Sequence, residues 1–299
     1  MISMDIALGL FSLFQTGLGV LGNSFLLGLY AITFFLGPRV RSIDLLLTHL
    51  ALVNDVVLLF KGIPHTMATL GLTNFLDDVG CKLVFYFHKV ARDLSLCTTC
   101  LLSSFQAMTL SPRSSRWAKL KARVPKCIVP LFLSCWAFCL LKNCMIVLYM
   151  KGPMENKNIT GGQDFTYCAA VFPVSLGSAI TILIVSLPDI LCIGIMVGTS
   201  GYTVFVLYRH HQRVQYIHGN NLTTSDSTET RATRTILLLV FLFVSFYSLN
   251  SILILCIRYV PSYWVIHISA FLASCFPACS SFVLIVRDSH VYKYFLALW

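Results

Sequence analysis

Long apolar runs separated by short polar segments dominate the chain. A run of about 20 apolar residues can cross a bilayer as an α-helix, which pairs its own backbone N–H and C=O groups in hydrocarbon. The pattern predicts an all-α membrane protein, a seven-transmembrane helix bundle. The predicted spans lie at about residues 6–36, 43–63, 81–111, 127–150, 183–208, 235–257 and 262–286. No internal repeat is present, and residues 1–299 are predicted to form a single domain.

Two boundaries depend on local signals. The second span is predicted to break at Pro64, because proline cannot donate to a helical ladder. The stretch from Ala169 to Leu207 is long enough for nearly two passes. Two passes would place the basic segment 209–213 on the outer side. Because basic segments normally lie on the cytoplasmic side (the positive-inside rule), we predict one span there.

Polar residues recur along one side of the third span. Their spacings are four, three, four, four and three residues, which places them on one face of an α-helix: His88, Arg92, Ser95, Thr99, Ser103 and Gln106. Eighteen residues of helix rise roughly 27 Å, close to the ~30 Å thickness of the hydrocarbon core. The sequence therefore predicts a polar stripe through most of the bilayer, with the other spans arranged around it.

Composition agrees with a membrane protein. The chain is 57% hydrophobic and 11% charged, with a mean hydropathy of +0.79. Soluble domains carry roughly 25% charged residues. A β-barrel is excluded because its alternating strands do not produce long continuous apolar runs.

The net charge of +10 is concentrated in segments between spans. The predicted loop after span 3 has six basic residues and no acid: Arg113, Arg116, Lys119, Lys121, Arg123 and Lys126. Such a segment marks the cytoplasmic side, so the N-terminus is predicted outside and the C-terminus in the cytoplasm. The basic residues are interpreted as contacts for the lipid bilayer or a protein partner, not as a nucleic-acid site.

Two cysteines and one asparagine lie on the predicted outer side. Cys81 begins span 3 and Cys168 ends the loop after span 4, so a disulfide between them is plausible, the alternative being two unpaired thiols. Most of the twelve cysteines lie in apolar runs, where they act as packing residues. Asn158 starts an Asn-Ile-Thr sequon in the same outer loop and is the predicted glycosylation site.

Ionisable groups inside the spans are candidates for function, because they are costly in hydrocarbon. Ligand-facing candidates, chosen for polarity or aromatic character in the outer half, are His88, Arg92, Ser95, Thr99, Phe172, Asp189, Tyr247 and Asn250. A structural alternative pairs Arg92 with Asp189 or a neighbouring acid as a lock and leaves His88 as a satisfied core histidine. Interhelical hydrogen bonding is the preferred role for Asn23, Asn54 and Asp55.

Enzymatic signatures are absent from the sequence. It contains no metalloprotease HExxH, no P-loop and no GxSxG nucleophile motif. His210 and His211 have no companion ligands at metal-site spacing. We therefore expect no enzyme activity, no cofactor and no metal site.

Four segments carry a resemblance to a known family: 47–54 (LTHLALVN), 100–113 (CLLSSFQAMTLSPR), 207–215 (LYRHHQRVQ) and 275–285 (CFPACSSFVLI). They closely resemble the vomeronasal type 1 receptors, within the rhodopsin-like G-protein-coupled receptor superfamily. Like that family, the chain has Ser-Pro-Arg113 in place of an Asp-Arg-Tyr motif after span 3. The resemblance covers almost the whole chain.

The resemblance implies a pheromone or chemosensory receptor in the plasma membrane. Its expected partners are a small, largely apolar pheromone or odorant, bound in an outer cleft, and a heterotrimeric G protein of the Gi/Go type. Candidate coupling residues on the inner side are Arg113, Arg116, Lys119, Arg209 and Arg213. The alternatives are a bitter-taste-type chemoreceptor and a small-solute transporter or channel.

One position departs from the family pattern. Span 7 reads Ser280-Ser281-Phe282 where the family usually has Ser-Pro-Phe. A missing proline would remove a kink. A receptor-derived protein with impaired signalling is therefore a third alternative.

Overall fold

The computed structural model describes residues 2–36, 41–72, 75–111, 115–152, 162–165, 167–171, 176–218, 228–259 and 263–287. In chain order its elements are α1 (Ile2–Leu36), α2 (Ser42–Val57), a π-helical turn (Leu58–Gly62), α3 (Ile63–Thr69), α4 (Asp78–Leu110), α5 (Ser115–Asn143), α6 (Ile146–Tyr149), β1 (Met150–Lys151), β2 (Gly162–Phe165), β3 (Cys168–Val171), α7 (Leu176–His218), α8 (Thr228–Tyr259) and α9 (Tyr263–Arg287). "Outer" and "inner" below refer to the orientation predicted from the basic residues.

The long helices confirm the all-α bundle. Six helical stretches of the described residues are long and apolar enough to cross a membrane. The further long helix is α4, which carries the polar stripe. Helix α4 contacts α2, α5, α7 and α8, so its neighbours can pair polar groups that lipid would leave unpaired.

The second span continues past Pro64, contrary to the predicted break. A π-helical turn precedes the proline, and the Ile63 N–H bonds to the Leu58 carbonyl. Pro64 then lies in the first turn of α3, and Gly62 and Ile63 before it keep helical dihedrals. The helix therefore runs on to Thr69, and it ends where Gly71 adopts a φ of +93°.

Helices α5 and α7 extend beyond the predicted spans on the inner side. Arg116 and Lys119 lie in the first turns of α5, and Arg209 and Arg213 lie in α7, so these residues are helical and not in loops. No glycine or proline interrupts residues 202–218, which explains the extension of α7. As predicted, α7 is one continuous helix, with Pro188 inside it. At the outer side, α5 ends at Asn143, earlier than predicted.

A small antiparallel sheet lies at the outer end of the bundle. Its strand order is β1-β3-β2, with Met150 opposite Ala170 and Gly162 opposite Val171. Strand β1 contacts α4, so the sheet is positioned over the outer half of that helix. The bundle core beneath it packs Leu26, Leu50, Leu94, Met196 and Leu239 from α1, α2, α4, α7 and α8.

Candidate functional site in the outer half of the bundle

A disulfide fastens the small sheet to α4. Cys81 and Cys168, the pair expected from the sequence, are joined with their Cα atoms 5.9 Å apart. Asp78 strengthens the attachment because its Oδ1 accepts a hydrogen bond of 2.6 Å from the Gly152 N–H. The rings of Phe85 and Tyr167 pack beneath the disulfide with centroids 5.8 Å apart. The sheet is therefore held above the outer half of α4.

Below this attachment, one lysine joins two buried carboxylates. Lys142 of α5 lies 3.1 Å from Asp93 of α4 and also pairs with Asp189 of α7. All three side chains are largely buried, with exposures of 7%, 6% and 16%. Asn143 adds a hydrogen bond of 2.9 Å from its Nδ2 to Asp93. Three helices thus meet at charged groups that satisfy one another.

A fourth helix joins through an aromatic residue. The Tyr247 hydroxyl of α8 donates to Asp189, on the carboxylate oxygen that Lys142 does not use. The Arg92 guanidinium lies 4.4 Å from the centroid of the Tyr247 ring, a cation–π contact. We call this set the Lys142 network: Arg92, Asp93, Lys142, Asp189 and Tyr247. Its two cations and two carboxylates have formal charges that cancel.

The Arg92–Asp189 lock, one of the two alternatives for Arg92, is replaced by a different pairing. Lys142 holds Asp189, and Arg92 stacks on Tyr247 while still interacting electrostatically with both carboxylates. Lys142 approaches from α5, and no motif in the sequence indicates that α5 faces α7 at this level. Lys142 itself was nevertheless a signal, because a charged residue near the end of span 4 indicates a functional or paired group.

A second polar set lies around the π-helical turn, which contacts both α4 and α9. His65 of α3 and His267 of α9 approach within 3.3 Å, and Ser12 of α1 lies 3.3 Å from the other His65 nitrogen. Lys61 belongs to the π-helical turn, and its Nζ lies 5.7 Å from the Phe85 ring and 5.8 Å from the Tyr167 ring. His88 of α4 is 7% exposed, and its Nε2 has no hydrogen-bond partner among the described residues. We call Lys61, His65, His88 and His267 the Lys61 cluster.

Three ligand candidates use their polar atoms inside the bundle. The Ser95 hydroxyl donates to Asn54 at 2.9 Å, and the Thr99 hydroxyl donates to the Ser95 carbonyl at 2.8 Å. Asn250 accepts a hydrogen bond of 2.9 Å from Ser269. All three side chains are buried. Ser95 and Asn250 bond to a neighbouring helix, and Thr99 bonds within its own helix.

The polar residues assigned to structure hold the middle of the bundle. Asn54 donates to Ser280 at 2.9 Å, which links α2 to α9. Asn23 donates to the carbonyls of Gly19 and Pro277, both at 2.9 Å. Asp55 accepts from Ser24 at 3.1 Å. These contacts join α1, α2 and α9.

Several candidates cannot be placed. Asn158, Phe172 and Arg113 lie outside the described residues, and the side chains of Arg116, Lys119 and Arg213 lie outside them as well. Arg209 is described and exposed.

Near the inner end, two contacts join α4 to α7. The Ser111 and Tyr202 hydroxyls lie 3.0 Å apart, and the Thr199 hydroxyl donates to Ser103 at 3.1 Å.

Span 7 contains a proline one turn before the position of the family departure. Pro277 lies inside α9 and its carbonyl accepts from Asn23. Ser281 is fully buried and its hydroxyl donates to the Ala278 carbonyl at 2.9 Å. It also faces α1 closely, since a Cβ on Gly22 would lie 2.5 Å from the Ser281 hydroxyl oxygen.

The sequence and the fold both match known receptors. A sequence model of the vomeronasal organ pheromone receptor family matches residues 5–297. The chain is 45% identical over 291 residues to human vomeronasal type-1 receptor 1, covering 97% of this chain and 82% of that protein. It is 42% identical over 299 residues to human vomeronasal type-1 receptor 4, covering 99% of each.

Among solved structures, the crystal structure of squid rhodopsin is similar in fold. The TM-score is 0.76 at 13% identity, and the match covers 99% of this chain and 81% of that one. At such low identity the likeness concerns the fold alone. Taken with the family match, the chain belongs to the vomeronasal organ pheromone receptor family, as a chemosensory receptor with the G-protein-coupled receptor fold and not an enzyme.

Proposed function

We propose that the chain is a plasma-membrane receptor for a small, largely apolar pheromone or odorant and that it activates a Gi/Go-type heterotrimeric G protein. The observation that carries the proposal is the position of the Lys142 network. It joins α4, α5, α7 and α8 in the outer half of the bundle, beneath the sheet that the disulfide fastens. A ligand that shifts any of these helices would therefore act on all four.

The inner end supplies the second part of the mechanism. The Ser111–Tyr202 and Ser103–Thr199 contacts join α4 to α7 at the side where Arg209 is exposed. Both helices also contribute to the Lys142 network, so a ligand that favours one arrangement at the outer end favours one at the inner end. The basic residues of α5 and α7 then form the surface that meets the G protein. In this proposal residues 1–299 act as one receptor domain, glycosylated at Asn158.

Ligand-dependent G-protein activation tests the proposal. Cells expressing the chain are challenged with a panel of volatile odorants, and inhibitory G-protein signalling is recorded with and without pertussis toxin. We expect at least one ligand to give a toxin-sensitive response. Ligand-dependent current or uptake without G-protein activation would instead identify a transporter or channel. Silence towards the whole panel, despite surface expression, would favour a receptor-derived protein with impaired signalling.

The variant Ser281→Pro, with the family residue restored, isolates that last alternative. The Pro277 carbonyl keeps its hydrogen bond from Asn23, so losing the N–H at position 281 leaves that carbonyl paired. We expect the variant to reach the surface and to respond as the unmodified chain does. A response gained only in Ser281→Pro would show that Ser281 limits signalling.

A further inference from the structure

Lys61 is a partly buried cation for which the described residues provide no ion-pair partner. Their ion pairs connect Arg41 with Asp44 and Lys142 with Asp93 and Asp189, and none includes Lys61. Its ammonium instead lies against the faces of two buried rings, Phe85 and Tyr167. An ammonium held within a bundle without an anion is costly, and such groups in membrane proteins mark functional sites.

The histidines around Lys61 add hydrogen-bonding capacity and no negative charge. Lys61 interacts electrostatically with His65, His88 and His267. His88 is the informative member, since it is more than nine-tenths buried and its Nε2 is unpartnered among the described residues. Among the described residues, Asp5 of α1 interacts electrostatically with His267.

The donors of the Lys61 cluster suit an anion with two or more oxygen acceptors. The Lys61 ammonium supplies three donors, and the His88 Nε2 supplies one in the tautomer that carries its hydrogen there. A carboxylate matches this set, because one oxygen can accept from each residue. Phe85 and Tyr167 provide apolar surface for the rest of such a molecule.

We propose that the Lys61 cluster binds the carboxylate of a small organic acid, with Lys61 and His88 as its contacts. The proposal deepens the receptor function above and rests on it, because the acid is the receptor's ligand. It places the acidic end of the ligand between the π-helical turn and α4, and not at the Lys142 network. There the Lys142 ammonium is already paired with Asp93 and Asp189.

The experiment measures the preference for an acid over its matched alcohol. The full chain is purified into nanodiscs of zwitterionic lipid. Ligand affinity is derived from the shift in melting temperature with decanoate or decanol, and with cyclohexylacetate or cyclohexylethanol. One charge-assisted contact corresponds to roughly tenfold to hundredfold in affinity. We expect at least one acid to bind that much more tightly than its alcohol.

Substitutions then locate the preference. Lys61→Met should abolish it, Lys61→Arg should retain most of it, and His88→Phe should reduce it about tenfold. Lys82→Met is the matched control, because Lys82 lies one residue after the disulfide on the same outer side, and it should leave the preference unchanged. A melting temperature without ligand, measured for each variant, shows which of them fold.

Three results would overturn the proposal: equal affinity for acid and alcohol, no binding of either acid, or a preference that survives Lys61→Met. Alcohol binding without acid preference would remove the carboxylate site while leaving a receptor for neutral ligands. Failure of every odorant in the G-protein assay would instead count against the receptor function itself.

Discussion

The Lys142 network and the Lys61 cluster both place cationic groups in the outer half of one bundle, and α4 contributes residues to each. In the first, Lys142 meets two carboxylates directly, and Arg92 stacks on Tyr247. In the second, Lys61 meets two aromatic rings and interacts with three histidines. The network is complete within the protein, whereas the cluster has donors that the described residues leave unused.

The two regions should therefore differ in role. The Lys142 network stabilises the fold, whereas the Lys61 cluster offers donors to a ligand. A buried charge whose partner is present stabilises the bundle only while both partners remain, and removing one leaves the other unpaired. A buried charge without a partner gives no such stabilisation, so its removal costs the fold little. Substitutions of the two lysines should therefore differ strongly in their effect on folding, although each removes one positive charge.

The largest expected effect is that of Lys142→Met. The variant leaves Asp93 and Asp189 buried without their shared cation, which costs about 3–5 kcal/mol when a buried pair is broken. We expect a much lower melting temperature in detergent and a reduced fraction at the cell surface. Lys142→Arg keeps the charge and should lose far less.

A variant of the same site without Lys142 and its two carboxylate partners provides the control for that result. Lys142→Met combined with Asp93→Asn and Asp189→Asn removes the cation together with both carboxylates. It should recover part of the melting temperature that Lys142→Met alone loses, because the two carboxylates are no longer left without their shared cation, while Arg92 keeps its contact with the Tyr247 ring. Wild-type stability of Lys142→Met alone would contradict the role given to the network.

Two substitutions of Tyr247 measure its hydrogen bond and its cation–π contact separately. Tyr247→Phe removes the hydrogen bond to Asp189 and keeps the ring under Arg92, at a cost of about 1.5–3 kcal/mol for a bond to a charged group. Tyr247→Leu also removes the cation–π contact and should cost roughly 0.5–2 kcal/mol more. Thermal unfolding of both variants in detergent measures the two steps. Identical melting temperatures for the two would mean that Arg92 gains nothing from the ring.

The bundle could be predicted well from the sequence because its signals are local. Apolar run length sets span positions, and helical spacing placed His88, Ser95, Thr99, Ser103 and Gln106 on one face, where all five are buried. The single pass of α7 followed from the position of its basic residues. Each of these inferences uses neighbours within one helix.

The candidate site was harder to predict because it depends on which helices face each other. Lys142 meets Asp93 across 49 residues and Asp189 across 47, and no spacing rule relates such positions. The Lys61 cluster was missed for another reason. A break at Pro64 would have separated His65 from the span, whereas the π-helical turn carries the helix through and brings both Lys61 and His65 into the bundle.

The smallest expected effect on folding is that of Lys61→Met, and it is the sharpest test of the comparison. The variant loses two cation–π contacts, each about 0.5–1 kcal/mol at sites open to solvent, and it also relieves the cost of burying an ammonium without a counter-ion. These effects oppose each other, so the free energy of unfolding without ligand should change by less than about 1 kcal/mol. Thermal unfolding of Lys61→Met beside Lys142→Met measures the contrast directly. A loss for Lys61→Met as large as that for Lys142→Met would mean that Lys61 also has a stabilising anionic partner in the protein, and the two regions would then not differ in kind.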